Sequence, residues 1–165
     1  MPSRRAFLST VGTGVLLALA GCLSSPQRVK GYVQFKVIDG LIEEPGQTTE
    51  IPIINVDASY ENATPPDLVH LNEEWADHFP IPRMPTVSDS LHDTLTEQFN
   101  SVRYVIGTTS PEWAEDDASL GSFNVATTRE NFNRVQVHSE VTASSDGTYL
   151  TIHSVGGLWN FDPND

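Results

Sequence analysis

Three residues of this chain have the types and the spacing of a metal site. His70, Glu74 and His78 follow one another at intervals of four residues, and on an α-helix such residues drift only about 80° around the axis. Imidazole nitrogens and a carboxylate on one helix face are suitable ligands for zinc or a similar divalent cation. Glu73 and Asp77 crowd the same stretch. The spacing therefore equally describes a solvated acidic face, and both interpretations remain open.

A second polar group lies near the carboxyl end, where the alternation of residues predicts a β-hairpin. His138 and Glu140 share the face away from Val137, and His153 lies on the face away from Ile152. A register that buries the apolar residues turns all three polar side chains outward. A four-residue loop places His138 opposite His153, and a two-residue loop places Glu140 there. The group is a candidate catalytic or metal site, or else a weak surface contact.

The sequence contains none of the common enzyme signatures. It lacks the Gly-x-Ser-x-Gly elbow, a phosphate-binding glycine loop, His-Glu-x-x-His and Cys-x-x-Cys, although many active sites have no local signature. We therefore assign no catalytic residue, expect no cofactor, and favour a non-catalytic protein over an enzyme.

One glycosylation motif is present. Asn62-Ala63-Thr64 is an Asn-x-Thr acceptor sequence, which suits an exposed loop of an exported protein. Pro65 follows directly and weakens the motif. Asn62 is therefore a candidate glycosylation site.

The first twenty-one residues have the organisation of an export signal. A positive start is followed by an apolar stretch from about Val11 to Ala20, which is too short to span a bilayer as a helix. The residues Ser3-Arg4-Arg5-Ala6-Phe7-Leu8 resemble the twin-arginine (Tat) consensus. The resemblance assigns the export signal to Arg4, Arg5 and Phe7.

The signal ends in Leu19-Ala20-Gly21-Cys22, which resembles a lipobox. The resemblance implies that residues 1–21 are cut away and that the Cys22 sulfur carries a lipid, with residues 22–31 as a short tether. Cys22 is the sole cysteine, so no internal disulfide and no catalytic thiolate remain. Two acyl chains would anchor the protein stably to the extracytoplasmic face of the cell membrane. The alternative is an ordinary secreted protein with a cysteine near its cleavage site.

The charge of the mature chain is the second strong signal. Arg4 and Arg5 are the only charged residues of the signal, so the rest carries seven basic and twenty-two acidic residues, a net charge of −15. Such a charge destabilises a compact state by self-repulsion, which salt screens, and halophiles use it to remain soluble. The composition and the Tat lipoprotein signal together resemble haloarchaeal surface proteins; a mildly acidic bacterial surface protein is the alternative. With no basic stripe, nucleic acid is not an expected partner.

Three classes of function remain. The favoured one is a membrane-anchored, non-catalytic surface module that binds a small ligand, a glycan or another envelope protein. A lipid-anchored hydrolase or metal-dependent enzyme is the second, and an accessory subunit of a cell-envelope complex is the third. An enzyme predicts a concave pocket in which the polar groups converge with shifted pKa values.

Alternation of apolar and polar residues predicts mostly β-structure in the mature chain. A first strand would bury Val33, Phe35 and Val37, place Gln34 and Lys36 on its other face, and end near Asp39-Gly40. A second would contain residues 51–54, with Pro52 at an edge or a bulge. Further strands are predicted at 102–108 and 123–127, and a final hairpin at 135–141 and 150–152 turns at Asp146-Gly147.

Two helices are expected between the strands. One covers 67–79, and the other begins near Asp89 and carries Leu91, Leu95 and Phe99 as an apolar stripe. The proline-rich segment 79–85 is expected to pack over the core through Phe79, Ile81 and Met84, or else to serve as an extended ligand for a partner. Residues after Gly156-Gly157 are expected to dock through Leu158, Trp159 and Phe161.

This order of elements favours one α+β domain over residues 32–165, in which an antiparallel β-sheet carries two helices. A β-sandwich with a helical insertion is the alternative. At 144 residues, the mature chain is long enough to bury a core without disulfides.

Overall fold

Antiparallel β-strands are the main regular structure in the part of the chain that the structure describes, which in this computed structural model is residues 26–59, 65–115 and 117–157. The strands in those ranges are Val29–Glu44 (β1), Gln47–Asp57 (β2), Asp67–Leu71 (β3), Ser101–Ser110 (β4), Gly121–Thr127 (β5), Glu140–Ser145 (β6) and Leu150–Val155 (β7). The α-helices are Asp89–Gln98 (α1) and Arg129–Arg134 (α2), and 3-10 helices cover Glu73–His78 and Pro111–Trp113.

The long strand β1 organises a single sheet with the order β3-β2-β1-β4-β5. On one side of β1, its first residues pair with β6 and its later residues pair with β2. On the other side of β1 lies β4, and β7 pairs with β6. A single parallel bridge between Ala126 and Tyr149 brings β7 next to β5. The sheet therefore curls, and the first residues of β1 lie in the curled part, so the predicted tether of residues 22–31 overlaps the start of this strand.

A β-bulge at Gln34 determines which side chains of β1 face the core. Val33 pairs with Thr108 and Phe35 with Gly107, so Gln34 is an extra residue without a partner on β4. Such a bulge interrupts the alternation. Val33 and Ile38 are buried as a result, whereas Phe35 and Val37 are only half-buried. The predicted face of this strand is therefore wrong beyond Val33, and Lys36 is fully buried.

The helices cover the core-facing side of the sheet. The apolar stripe of α1 is confirmed, because Leu91, Leu95 and Phe99 are all buried. Ser88 is the N-cap and accepts a hydrogen bond from the Leu91 N–H. The Phe99 ring packs against Gly40, where an added methyl would lie 2.5 Å from ring carbons. A glycine at this position lets α1 pack closely on β1.

The predicted helix over 67–79 is wrong. Residues Asp67–Leu71 form an edge strand on β2, and only Glu73–His78 is helical, as a 3-10 turn capped by Asn72. The side chains of Leu68 and Val69 are exposed rather than directed at a core. Trp75 and Phe79 are buried. The apolar residues in the second half of the predicted helix therefore do contact the core, but from a short 3-10 helix and the residue after it.

The final hairpin is shorter than predicted. Residues Arg129–Arg134 form α2, which was not predicted, and β6 begins only at Glu140. The turn at Asp146-Gly147 is confirmed, with Ser145 paired to Leu150. The first strand also continues past Asp39-Gly40 to Glu44 and turns at Gly46, whose φ is 83°. Pro52 lies beside a bulge at Ile53, as expected.

The proline-rich segment packs against the core mainly through one residue. Phe79 is 2% exposed, Met84 is half-buried, and Ile81 is 40% exposed. The prediction that all three pack inward is therefore correct for Phe79 and wrong for Ile81.

Candidate functional site

The structure does not bring the first predicted metal ligands together. His70 lies on β3, where its Nε2 is 3.2 Å from the carbonyl oxygen of Pro52. Glu74 and His78 lie on the following 3-10 helix. The shared helical face on which the metal hypothesis depended does not exist, because the chain changes from strand to helix between His70 and Glu74. Across the described ranges, no group of three or more His, Cys, Asp or Glu side chains is placed to hold a metal ion.

The second predicted group is also divided. Glu140 is exposed on β6, but His138 is fully buried in the turn before this strand, with a φ of 73°. The His138 N–H donates to the carbonyl oxygen of Val33, and the Val33 N–H donates to that of Ser139. The prediction that all three side chains point outward is therefore wrong for His138. Burial lowers the pKa of His138 below its ordinary value of 6.5.

His153 is held by a hydrogen bond rather than facing His138 or Glu140. Its Nε2 lies 2.8 Å from Ser144 Oγ on the neighbouring strand. It is the extra residue of a bulge in β7, because Thr142 pairs with Ser154 and Ala143 with Ile152. Both predicted hairpin registers are wrong, because Ser145 pairs with Leu150 from the turn onward, and without the bulge His153 would face Thr142.

A cleft of about 450 Å³ lies where the first residues of β1 run beside β6 and β7. Its lining consists of Lys30, Gly31, Tyr32, Pro111, Glu140, Val141, Thr142, Ser154, Val155 and Gly156. This is the candidate functional site.

The pairing of the three strands arranges the polar side chains of the cleft in two rows. Lys30 pairs with Thr142, which pairs with Ser154, and these form the first row. Tyr32 pairs with Glu140 in the second row. Paired residues share a sheet face, and rows two residues apart are separated by about 7 Å.

The two rows differ in charge and in hydrogen-bonding capacity. The first offers an ammonium group and two hydroxyl groups, which can all donate hydrogen bonds to an anion. The second offers the Glu140 carboxylate beside a phenol. Gly156 leaves room for this carboxylate, because an added methyl there would lie 3.2 Å from Glu140 Oε2. The cleft can therefore bind a small polar molecule that carries an acceptor group at one end and a donor group at the other.

A buried lysine lies on the core side of the same strand. The Nζ of Lys36 donates to the carbonyl oxygens of Pro85 at 2.7 Å and Val135 at 2.8 Å, and to Gln136 Oε1 at 3.1 Å. It also lies 3.9 Å from the centroid of the Phe132 ring. Burial lowers the pKa of Lys36 well below its ordinary value of 10.5, whereas three oxygen acceptors and a ring face favour the ammonium form. Because Lys36 connects β1 to two loops, we interpret its role as structural.

Several predictions concern residues outside the described ranges. They are the export residues Arg4, Arg5 and Phe7, the lipid attachment at Cys22, the glycosylation of Asn62, and the docking of Leu158, Trp159 and Phe161. Within the described ranges, no helix has the length and apolar character needed to cross a membrane.

The residues of the cleft were not found from the sequence. Lys30 was assigned to the tether, and Thr142 and Ser154 have no distinctive spacing. Their proximity depends on β6 joining the first four residues of a sixteen-residue strand. The polar residues at alternate positions on β6 and β7 were a detectable signal, but only together with the correct register.

Comparison with known proteins gave no relatives. No protein-family model, no curated protein sequence and no solved structure matches this chain.

Proposed function

We propose that this protein is a lipid-anchored, non-catalytic binding module on the extracytoplasmic face of the cell membrane, and that it binds a small polar molecule in the cleft between β1, β6 and β7. The resemblance of the leader to a Tat signal and a lipobox supports the location. The single observation that supports binding is the arrangement of Lys30, Thr142 and Ser154 in one row and Tyr32 and Glu140 in the next.

The volume and the lining of the cleft agree with a small ligand. About 450 Å³ is within the range of small-molecule sites, and the lining also includes Val155, which is 39% exposed. The described histidines with lowered pKa values, His138 and His153, are not among the residues that line the cleft. This separation favours binding over acid–base catalysis at this site.

We also infer that the domain belongs to the α+β class and is not a β-sandwich with a helical insertion. The described strands form one connected sheet. Contacts of Phe99 with Gly40 and of Phe132 with Lys36 place helical residues against the core-facing side of β1.

The test begins with the mature protein purified from native membranes at high salt. We expect the mass of the amino-terminal peptide to show a lipid on Cys22, and native mass spectrometry to show a co-purifying small molecule. Ser154→Trp fills the cleft from β7, so we expect the amount of this molecule to fall at least several-fold. Thr151→Trp is the matched control, because Thr151 is exposed on the same strand and does not line the cleft.

Two results would contradict the proposal. An unmodified Cys22 would remove the anchor. If Ser154→Trp and Thr151→Trp retain the co-purifying molecule equally, the cleft is not its binding site. Wild-type protein that carries no such molecule would also contradict binding in the cleft.

A further inference from the structure

Exposed basic residues gather at the end of the β1–β6–β7 face from which the tether leaves. Arg28 directly precedes Val29, whose side chain is buried, so Arg28 and Lys30 lie on the opposite, outward face. Arg134 joins them from α2, because its guanidinium donates to the carbonyl oxygen of Ile152 on β7 at 2.7 Å. These three side chains, Arg28, Lys30 and Arg134, are the basic patch.

His153 lies close to two of the three residues of the basic patch. Burial lowers the pKa of His153, and the positive charges of Arg28 and Arg134 lower it further. Both cations therefore lie near the same imidazole ring. That ring is hydrogen-bonded to Ser144 on β6, so it lies on the outward face of β6 and β7.

The basic patch differs from Arg103, Arg129 and Lys36, which are paired with carboxylates or buried. Within the described ranges, the ion pairs are those of Arg103 with Asp39 and Glu50 and of Arg129 with Asp89, and Lys36 is buried. Arg28, Lys30 and Arg134 are exposed and belong to none of these ion pairs. In a chain with twenty-two acids and nine bases, three unneutralised cations at one end are a marked asymmetry.

Two acidic side chains also lie on this face. Glu112 Oε1 accepts a hydrogen bond from the Lys30 backbone N–H at 3.3 Å, and Glu140 lies in the second row of the cleft, away from Arg28. The end of the face that carries Arg28, Lys30 and Arg134 therefore holds three cations and the Glu112 carboxylate, whereas Glu140 lies in the next row.

We propose that the basic patch docks on anionic lipid headgroups, so that the adjacent cleft opens onto the membrane surface. This inference rests on the proposed lipid anchor at Cys22. Only five residues lie between Cys22 and Arg28, a span of at most about 20 Å when extended. An anionic surface repels most of a strongly acidic domain and attracts its basic end, which selects one orientation.

The experiment uses the native lipidated protein on vesicles. Lipidation blocks the sole native cysteine, so a single introduced cysteine is the only free thiol. Ser154→Cys places it beside the patch, and Thr94→Cys places it on the exposed side of α1, away from the patch. The rate of reaction with an uncharged polyethylene-glycol maleimide is compared on phosphatidylcholine vesicles with and without phosphatidylglycerol, at the lowest salt that preserves the near-ultraviolet circular dichroism.

We expect phosphatidylglycerol to slow the reaction of Ser154→Cys about fivefold or more and to leave that of Thr94→Cys unchanged. Each basic side chain at an anionic surface favours contact roughly fivefold. The triple substitution Arg28→Gln, Lys30→Gln and Arg134→Gln should abolish the slowing. The control substitutions Thr48→Glu, Gln98→Glu and Ser119→Glu change the net charge equally at other exposed positions, and should retain it.

Several outcomes would overturn the docking. Equal rates on both kinds of vesicle, with the protein still anchored, would exclude it while leaving the anchor intact. Slowing by millimolar inorganic phosphate on phosphatidylcholine alone would identify a phosphate site instead, and slowing that rises with protein density would identify contact between copies. Protein that does not float with the vesicles would overturn the anchor and the docking together.

Discussion

Lys36 shows how one buried residue can hold three segments of the chain together. Its ammonium group has three N–H donors, and three oxygen atoms of Pro85, Val135 and Gln136 lie within hydrogen-bonding distance. Pro85 ends the proline-rich segment, and the other two acceptors follow α2. Because β1 supplies the lysine, both connections are fixed to the central strand of the sheet.

Substituting Lys36 with Met tests this role. Methionine fills a similar volume but leaves the carbonyl oxygens of Pro85 and Val135 without this donor, and buried acceptors without a partner cost about 1–3 kcal/mol each. We expect Lys36→Met to lower the free energy of unfolding by about 3 kcal/mol in urea titrations. Lys30→Met, on the exposed face of the same strand, should change it by no more than about 0.5 kcal/mol. Equal effects of the two substitutions would contradict the structural role.

The pH dependence of the same variant is a second readout. Unfolded Lys36 holds its proton up to about pH 10.5, whereas the folded residue releases it at lower pH. The unfolded chain therefore binds more protons in this window, and the free energy of unfolding rises with pH through it. The rise should be missing in Lys36→Met. Measurements should stay below pH 10, because burial raises the pKa of Tyr104 from 10.0 to about 12 and stability falls with pH in that range.

At the scale of the secondary-structure elements, the contact between α1 and β1 depends on the absence of a side chain at Gly40. A methyl group there would lie 2.5 Å from the Phe99 ring, which is well inside van der Waals contact. Phe99 is both the C-cap of α1 and part of the core. The ring must move if the methyl is added, and the end of α1 must move with it.

We therefore expect Gly40→Ala to lower the free energy of unfolding by about 2 kcal/mol, which is typical of overpacking. Gly157→Ala is the control, because no residue of the described ranges lies within 4 Å of a methyl added there. Combining Gly40→Ala with Phe99→Leu should cost less than the sum of the two single changes, since both act on one contact. Additive losses in chemical denaturation would show that the contact does not limit the packing of α1.

Local patterns predicted some elements well because those elements obey one period throughout. The stripe of Leu91, Leu95 and Phe99 is confirmed, and so is the hairpin turn at Asp146-Gly147. The prediction for the first strand is wrong beyond Val33, because the bulge at Gln34 exchanges the two faces of the strand. No residue type in this segment indicates a bulge. The helix predicted over 67–79 is wrong because Asp67–Leu71 pairs with β2 as an edge strand, despite the helical spacing of its apolar residues.

The candidate site was less predictable than the elements. Two cross-strand rows on β1, β6 and β7 exist only in one register, and the bulge at His153 shifts that register. Alternation alone places His138 on the surface, whereas its left-handed backbone conformation ends the alternation before β6 begins. Tertiary pairing, which a single sequence does not reveal, therefore decided which polar residues meet.

At the scale of the whole molecule, the distribution of charge is the dominant feature. Without its predicted signal, the chain carries a net charge of −15, and the exposed cations of the basic patch lie at one end of one face. Self-repulsion of the remaining surface must oppose folding in dilute buffer, because the screening length is about 10 Å at 0.1 M salt and about 3 Å at 1 M. The stability of the domain should therefore depend on salt more than that of a neutral protein.

Thermal unfolding of the mature protein at increasing KCl concentration measures this dependence. We expect the melting temperature to rise between 0.1 M and 1 M KCl and then to level off, because screening is then nearly complete. The triple substitution Glu43→Gln, Glu44→Gln and Glu73→Gln removes three exposed charges and should raise the melting temperature at low salt only. A melting temperature that does not change with KCl concentration would show that repulsion among the acidic residues does not limit stability. A difference in melting temperature between variant and wild type that persists at molar salt would show the same.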